Sequence, residues 1–149
     1  MGAIKGEKAV EIDAPIDEVF AIAADVDNSA DWQGSLIDVE VLSRHDDGLA
    51  DHVATVSDAK VKTVKSEVRF SFDAPTSIKW TQIKGDTKSV DGWWRFEDIG
   101  GGRTRATYGL EVDPGRMLGM LIRGPVEDQV KTFLLGNAAE GLKNKAEGA

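Results

Sequence analysis

The stretch VDGWWRFEDIGGGRTRATYGLEVDP, residues 90–114, decides the fold prediction. Before the glycine triplet 100–102, Val90, Trp94 and Phe96 share one face, and polar side chains separate them. This period of two predicts two antiparallel strands joined by a tight glycine turn. Trp93 and Trp94 are adjacent, so they point to opposite faces of the sheet. On the second strand, the side chains predicted to share one side are Thr104, Ala106, Tyr108, Leu110 and Val112.

The same alternation extends back to Ser35, which predicts six consecutive strands between residues 35 and 112. Lys5–Ile12 reads as an earlier strand, and Ala14-Pro15 then opens a short helix, with a second short helix before Trp32. A long helix runs from about Met117 to the end of the chain. Gly124-Pro125 kinks or restarts it, because proline removes a backbone donor and clashes with the preceding turn.

This order predicts an α+β fold in which a curved, seven-stranded antiparallel sheet wraps around the C-terminal helix. The 149 residues contain no Ser-, Pro- or Gly-rich linker and no repeat, so residues 1–149 are predicted to be a single domain. With 41% hydrophobic and 30% charged residues, the chain is of the globular class.

The charge balance excludes several classes of partner. The formal net charge is −8, whereas a nucleic-acid binder needs a basic surface to displace counterions from phosphates.

There is no cysteine, which excludes disulfides and thiolate metal sites. The first residues lack the apolar core of a signal peptide, and no apolar run reaches membrane-spanning length. These features predict a cytoplasmic location without stable membrane insertion.

The terminal helix carries an apolar stripe that is interrupted by small residues in the segment GNAAEG, residues 136–141. Two interpretations stay open. The small residues either leave room between helix and sheet, or they let the two approach closely. Asn137 lies on the apolar stripe and needs a hydrogen-bond partner, which a ligand or water could supply.

Residues that could carry chemistry are few. His45 lies in an acidic turn, and His52 shares a strand face with Ala54 and Val56, which could face the interior or lie at the surface. Two histidines without organised carboxylate spacing predict no metal site, and no phosphate loop or nucleophile motif predicts a cofactor. No catalytic residue is assigned. The polar groups most able to face inward are Tyr108, His52, Ser66 and Asn137.

Two motifs resemble those of the START/Bet v 1-like (SRPBCC) superfamily, in particular its polyketide cyclase/dehydrase and lipid-transport family. The first is AVEIDAPIDEVFAIAADVDNSADW, residues 9–32, with Ala14-Pro15 and Trp32 at the family's positions. The second is the stretch 90–114, with its Gly, Trp and Phe before the glycine turn and Thr104-Arg105 after it. The resemblance implies a helix-grip fold with an elongated internal cavity.

The resemblance also implies that the protein binds or carries a hydrophobic small molecule, such as a lipid or polyketide-like compound. The alternatives are a polyketide aromatase/cyclase and a protein-interaction module, which could form a homodimer. Whether the chain is an enzyme stays open.

Met117–Leu121 could be a pliable lid or an ordinary helix face. The predicted ligand-binding residues are Trp32, Val64, Val68, Phe70, Trp80, Trp94, Phe96, Tyr108, Leu110, Met120, Phe133 and Asn137.

Overall fold

The structure is a computed structural model that describes residues 4–148, except for the side chain of Met117. The elements are β1 (Ile4–Ile12), α1 (Ile16–Ala24), a 3-10 helix (Val26–Asp31), β2 (Leu36–Val41), β3 (His52–Asp58), β4 (Thr63–Asp73), β5 (Ser77–Gly85), β6 (Ser89–Gly100), β7 (Arg103–Asp113), α2 (Gly115–Leu121) and α3 (Pro125–Gly148).

The seven strands form one sheet in the order β1-β7-β6-β5-β4-β3-β2, and each neighbouring pair is antiparallel. This confirms the predicted α+β helix-grip architecture with its long C-terminal helix. The β6–β7 hairpin turns at Gly100, Gly101 and Gly102, whose φ angles are +87°, +66° and +72°. Only glycine adopts these angles without strain, which explains the glycine triplet.

The register places most of the large aromatic residues of the sheet on its inner face. Trp94 lies directly between Ile78 and Tyr108, and the next row joins Phe70 to Trp80. Gly92 is the partner of Trp80 on β6, and a Cβ there would lie 2.1 Å from the indole. The indole of Trp80 therefore packs flat against the β6 backbone.

The terminal helical region is two helices rather than one. Gly124 has a φ of +60° between α2 and α3, and α3 begins at Pro125 with Glu127 and Asp128 in its first turn. These carboxylates suit the positive end of the helix dipole. Of the two predicted alternatives at Gly124-Pro125, a kink or a restart, the structure shows the restart. None of the helices within residues 4–148 is long and apolar enough to cross a membrane.

Among the described residues, the core forms three hydrophobic clusters. The largest joins α1 and the C-terminal half of α3 to β6 and β7, and it contains Phe20, Phe96 and Leu142. The second joins Ile4 and Ala59 to Ile122 and Val130, at the N-terminal end of α3. The third lies between the 3-10 helix and strands β3 and β4. The space between these three clusters is where the candidate site lies.

Candidate functional site

A cavity of about 170 Å³ lies between the inner face of the sheet and the helices, and residues of all three hydrophobic clusters line it. All seven strands and the 3-10 helix contribute to its walls. Leu118 of α2, with Val130 and Leu134 of α3, covers it. The cavity therefore lies under the N-terminal half of α3.

Eight of the twelve residues predicted to bind a ligand line this cavity. Seven of them come from the four strands β4–β7, where the inward alternation of each strand brings them together, and Trp32 directly follows the 3-10 helix. Their placement does not test whether they bind a ligand, which stays a prediction. These residues are Trp32, Val64, Val68, Phe70, Trp80, Trp94, Tyr108 and Leu110.

The structure places the other four predicted residues outside the cavity lining. Phe96 is buried beyond it and packs edge-on against Phe20, with ring centroids 6.0 Å apart. Met120 is 60% exposed, because α2 turns Leu118 rather than Met120 inward. Phe133 lies below Lys60, whose Nζ is 5.1 Å from the ring centroid.

Asn137 also lies outside the lining, and its amide nitrogen has a partner within the protein. Nδ2 donates to the Phe133 carbonyl oxygen at 2.7 Å. Oδ1 faces Gly34, where a Cβ would lie 2.6 Å away. The preceding helical turn, rather than a ligand or water, therefore supplies the partner of Nδ2.

The small residues of α3 serve close approach rather than empty space. A Cβ on Gly141 would lie 2.1 Å from the Trp32 carbonyl oxygen, and Ala138 and Ala139 are fully buried. Of the two interpretations of this segment, the structure supports close packing. Predicting room beneath residues 136–141 would have been wrong, because the cavity lies nearer the start of α3.

A continuous series of aromatic rings forms one wall of the cavity. The ring centroids of Phe70 and Trp80 are 5.4 Å apart, and those of Trp80 and Tyr108 are 5.7 Å apart. Tyr108 then contacts Trp94 at 4.8 Å, and Trp94 contacts Trp32 at 6.2 Å. Such rings provide a large apolar surface with little conformational freedom to lose on binding.

A polar arc interrupts the apolar walls on the side of β3–β5. The Ser66 hydroxyl donates to Gln82 Oε1 at 2.8 Å, and the Thr87 hydroxyl donates to the same oxygen at 3.1 Å. Gln82 Nε2 in turn donates to the Thr87 carbonyl oxygen at 2.9 Å. Thr55 lies opposite Ser66 and donates to its carbonyl oxygen at 3.3 Å. We call Thr55, Ser66 and Thr87, which all line the cavity, the hydroxyl arc.

Tyr108 lines the cavity and has a pKa that is shifted by burial. Burial raises the pKa of its hydroxyl above the ordinary value of 10.0, and the side chain of Gln33 opposes that shift by hydrogen bonding. Removal of the phenol proton inside an apolar cavity would leave a poorly solvated anion. Tyr108 therefore stays protonated across physiological pH and acts as a hydrogen-bond donor rather than a base.

Both histidines lie away from the cavity. His52 is on the outer face of β3, opposite to Thr55 and Ser57, and its Nε2 lies 2.8 Å from Glu67 Oε1. That hydrogen bond lowers the pKa of Glu67. His45 Nε2 lies 2.8 Å from the Phe70 carbonyl oxygen. Within the described residues, no cluster of three or more His, Asp or Glu side chains could hold a metal ion.

Twenty lining residues lie outside the predicted ligand-binding set, and seven of these twenty are polar. Thr55 and Ser57 alternate on β3 with His52, Ala54 and Val56, and the two faces of the strand are similar in polarity. The alternation therefore did not indicate which face points inward. Thr87 lies in a turn, and Gln33 follows the 3-10 helix, where no periodicity indicates which way a side chain points. Pairing of β3 with β4 would have revealed Thr55, since its partner Ser66 had been predicted as inward-facing.

Solved structures with the same fold include proteins of different description. A START superfamily protein from Mycobacterium smegmatis aligns with a TM-score of 0.85 at 18% identity, covering 99% of both chains. A protein from Thermus thermophilus gives 0.83 at 19% identity, over 95% of this chain and 96% of that chain. The Zhui aromatase/cyclase from Streptomyces sp. R1128 gives 0.75 at 19% identity, over 96% and 93%.

No curated protein matches the sequence. At these identities, the structural likeness establishes the fold alone. The family assignment comes from the sequence, because the model of the family described as polyketide cyclase / dehydrase and lipid transport matches residues 3–147. That match spans nearly the whole chain and agrees with the resemblance noted above and with the helix-grip fold. The chain therefore belongs to the polyketide cyclase / dehydrase and lipid transport family.

Proposed function

We propose that the protein binds a hydrophobic small molecule in the cavity between its sheet and α3. The observation that carries this proposal is the cavity itself, which is lined mainly by apolar and aromatic side chains and contains a few polar groups. Ligand sites in proteins have this composition. Protein interiors are otherwise close-packed, and an unfilled volume of this size lowers stability, so its presence favours a guest molecule.

The proposal is tested with N-phenyl-1-naphthylamine, an uncharged probe whose fluorescence rises in apolar surroundings. Val64 lines the cavity, and Val64→Phe fills part of it. The matched control is Lys65→Phe on the same strand, where the side chain is exposed on the outer face. We expect Val64→Phe to weaken probe binding roughly tenfold or more, which is about 1.4 kcal/mol, and Lys65→Phe to leave it unchanged.

Two results would contradict the proposal. One is an unchanged probe fluorescence with the natural protein. The other is equal binding by both variants, which would place the probe on the surface. Circular dichroism and thermal unfolding establish that Val64→Phe is folded, since overpacking of a core costs about 1–3 kcal/mol.

A second proposed function is polyketide aromatase/cyclase activity in the same cavity. Tyr108 favours it, because a protonated, buried phenol that lines the cavity can donate a hydrogen bond to a ketone oxygen of a bound chain and polarise that carbonyl group. Tyr108→Phe should then abolish cyclisation of a poly-β-ketone while retaining binding of N-phenyl-1-naphthylamine. Unchanged turnover by that variant would remove Tyr108 from the mechanism. His52 is not a candidate, since it lies on the outer face.

The interaction-module hypothesis rests on exposed apolar residues. Met120 and Leu121 on α2 are 60% and 54% exposed. Homodimer formation, the absence of nucleic-acid binding and a cytoplasmic location all stay predictions from the sequence. In the lid hypothesis for residues 117–121, Leu118 covers the cavity and Met120 faces outward, while the side chain of Met117 lies outside the described part of the chain.

A further inference from the structure

The chemistry of the lining restricts the charge of any guest. Among the described residues that line the cavity, none is Asp, Glu, Lys, Arg or His. An ionised carboxylate or phosphate inside would lose its hydration without gaining a counter-charge, which costs far more than burial of a neutral polar group. The interior therefore selects against anions and cations alike.

The hydroxyl arc restricts the polar group that a guest can carry. The Ser66 and Thr87 hydroxyls both donate to Gln82 Oε1, and the Thr55 hydroxyl donates to a backbone carbonyl. Each hydroxyl has one donor and two acceptor lone pairs, so what these three residues have left is acceptor capacity. A ligand group that meets the arc must donate a hydrogen bond.

The aromatic wall and the volume restrict the shape of the guest. Three atoms of the Trp80 indole would lie between 2.1 and 2.3 Å from a Cβ on Gly92, so the ring covers this glycine face-on. Its other face is turned toward the interior, where flat rings stack favourably. A water molecule needs about 10–15 Å³, so the cavity of about 170 Å³ holds on the order of ten such groups. That suits a molecule of two or three rings, a size class that includes both N-phenyl-1-naphthylamine and 2-naphthamide.

We infer that the cavity accepts an uncharged, flat ring compound that carries a hydrogen-bond donor such as a hydroxyl or amide, and that it rejects carboxylates and phosphates. This inference rests on the proposed binding function and names the ligand class. Fatty acids in their ionised form and phospholipid headgroups lie outside that class, because no lining residue among those described compensates their charge.

Calorimetric titration at pH 7 with 2-naphthamide and 2-naphthoate tests this directly, because the two compounds have nearly the same shape and differ in charge. We expect 2-naphthamide to bind at least about a hundredfold more tightly than 2-naphthoate. Comparable affinities would overturn the selection against charge. If a neutral chain such as 1-decanol bound and 2-naphthamide did not, the inferred ring class would be wrong, although the proposed function would stand.

The hydroxyl arc has its own control. Ser66→Ala removes one acceptor that faces the cavity, and we expect it to weaken 2-naphthamide roughly fivefold while leaving naphthalene, which has no donor, unaffected. General structural damage would weaken both compounds, and an equal loss for both would overturn the role of the arc. If no compound bound, N-phenyl-1-naphthylamine included, the proposed function itself would fail together with this inference.

Discussion

At the scale of single residues, two glycines of the sheet are each covered by a tryptophan indole, one on the inner face and one on the outer face. Trp80 covers Gly92 on the inner face, and Trp93 covers Gly109 on the outer face. In both cases a Cβ would lie 2.1 Å from the indole. Trp93 also donates from Nε1 to Glu7 Oε2 at 2.6 Å, beside the two hydrogen bonds from Arg95 to the same carboxylate. The adjacent tryptophans of β6 thus have separate environments.

These two sites form a matched pair of substitutions. Gly92→Ala and Gly109→Ala should each lower the free energy of unfolding by about 1–3 kcal/mol, because each displaces an indole. Only Gly92→Ala should also weaken binding of N-phenyl-1-naphthylamine, since Trp80 lines the cavity and Trp93 does not. Urea unfolding and probe titration measure the two effects. An equal loss of probe affinity in both variants would argue against a binding site on the inner face.

At the scale of elements, α3 has two parts with different roles. Its C-terminal half packs closely, with Ala138, Ala139 and Leu142 fully buried. Its N-terminal half contributes Val130 and Leu134 to the cavity. Small residues are therefore concentrated where the helix meets Trp32, and larger aliphatic residues lie where it covers empty space. This distribution explains why the small residues 136–141 do not mark the position of the cavity.

Two glycines of α3 should respond in opposite ways to alanine. Gly136→Ala should stabilise the protein by up to about 1 kcal/mol, because alanine has the higher helix propensity. The nearest atom to the added Cβ would be Oε2 of Glu140 at 3.3 Å, and this exposed side chain can move aside. Gly141→Ala should destabilise it by about 1–3 kcal/mol, since its Cβ would meet the Trp32 backbone. Thermal unfolding of both variants gives the signs. Stabilisation by Gly141→Ala would contradict the close approach of α3 to Trp32.

At the scale of the whole molecule, the architecture follows from local periodicity, whereas the site depends on tertiary geometry. Period-two alternation from residue 35 to 112 was sufficient to predict the strands. On β4 the two faces differ sharply in polarity, and Val64, Val68 and Phe70 were correctly placed inward. On β3 the faces are similar, so Thr55 and Ser57 were missed.

The boundaries of the cavity were harder to predict because it is the space that separate elements leave between them. Phe96 and Trp94 share a face of β6, but only Trp94 lines the cavity. Phe20 of α1 packs against Phe96 and separates it from the cavity. Met120 and Leu118 lie on one short helix whose rotation depends on the turn at Gly124. No local pattern in the sequence records these contacts.

The four tryptophans allow the most direct measurement. Trp32, Trp80 and Trp94 line the cavity, and Trp93 lies on the outer face as an internal control. In a ¹H–¹⁵N spectrum, titration with N-phenyl-1-naphthylamine should shift the indole N–H signals of the three inner tryptophans and leave that of Trp93 in place. A shift confined to Trp93, or no shift in any of the four, would contradict binding inside the cavity.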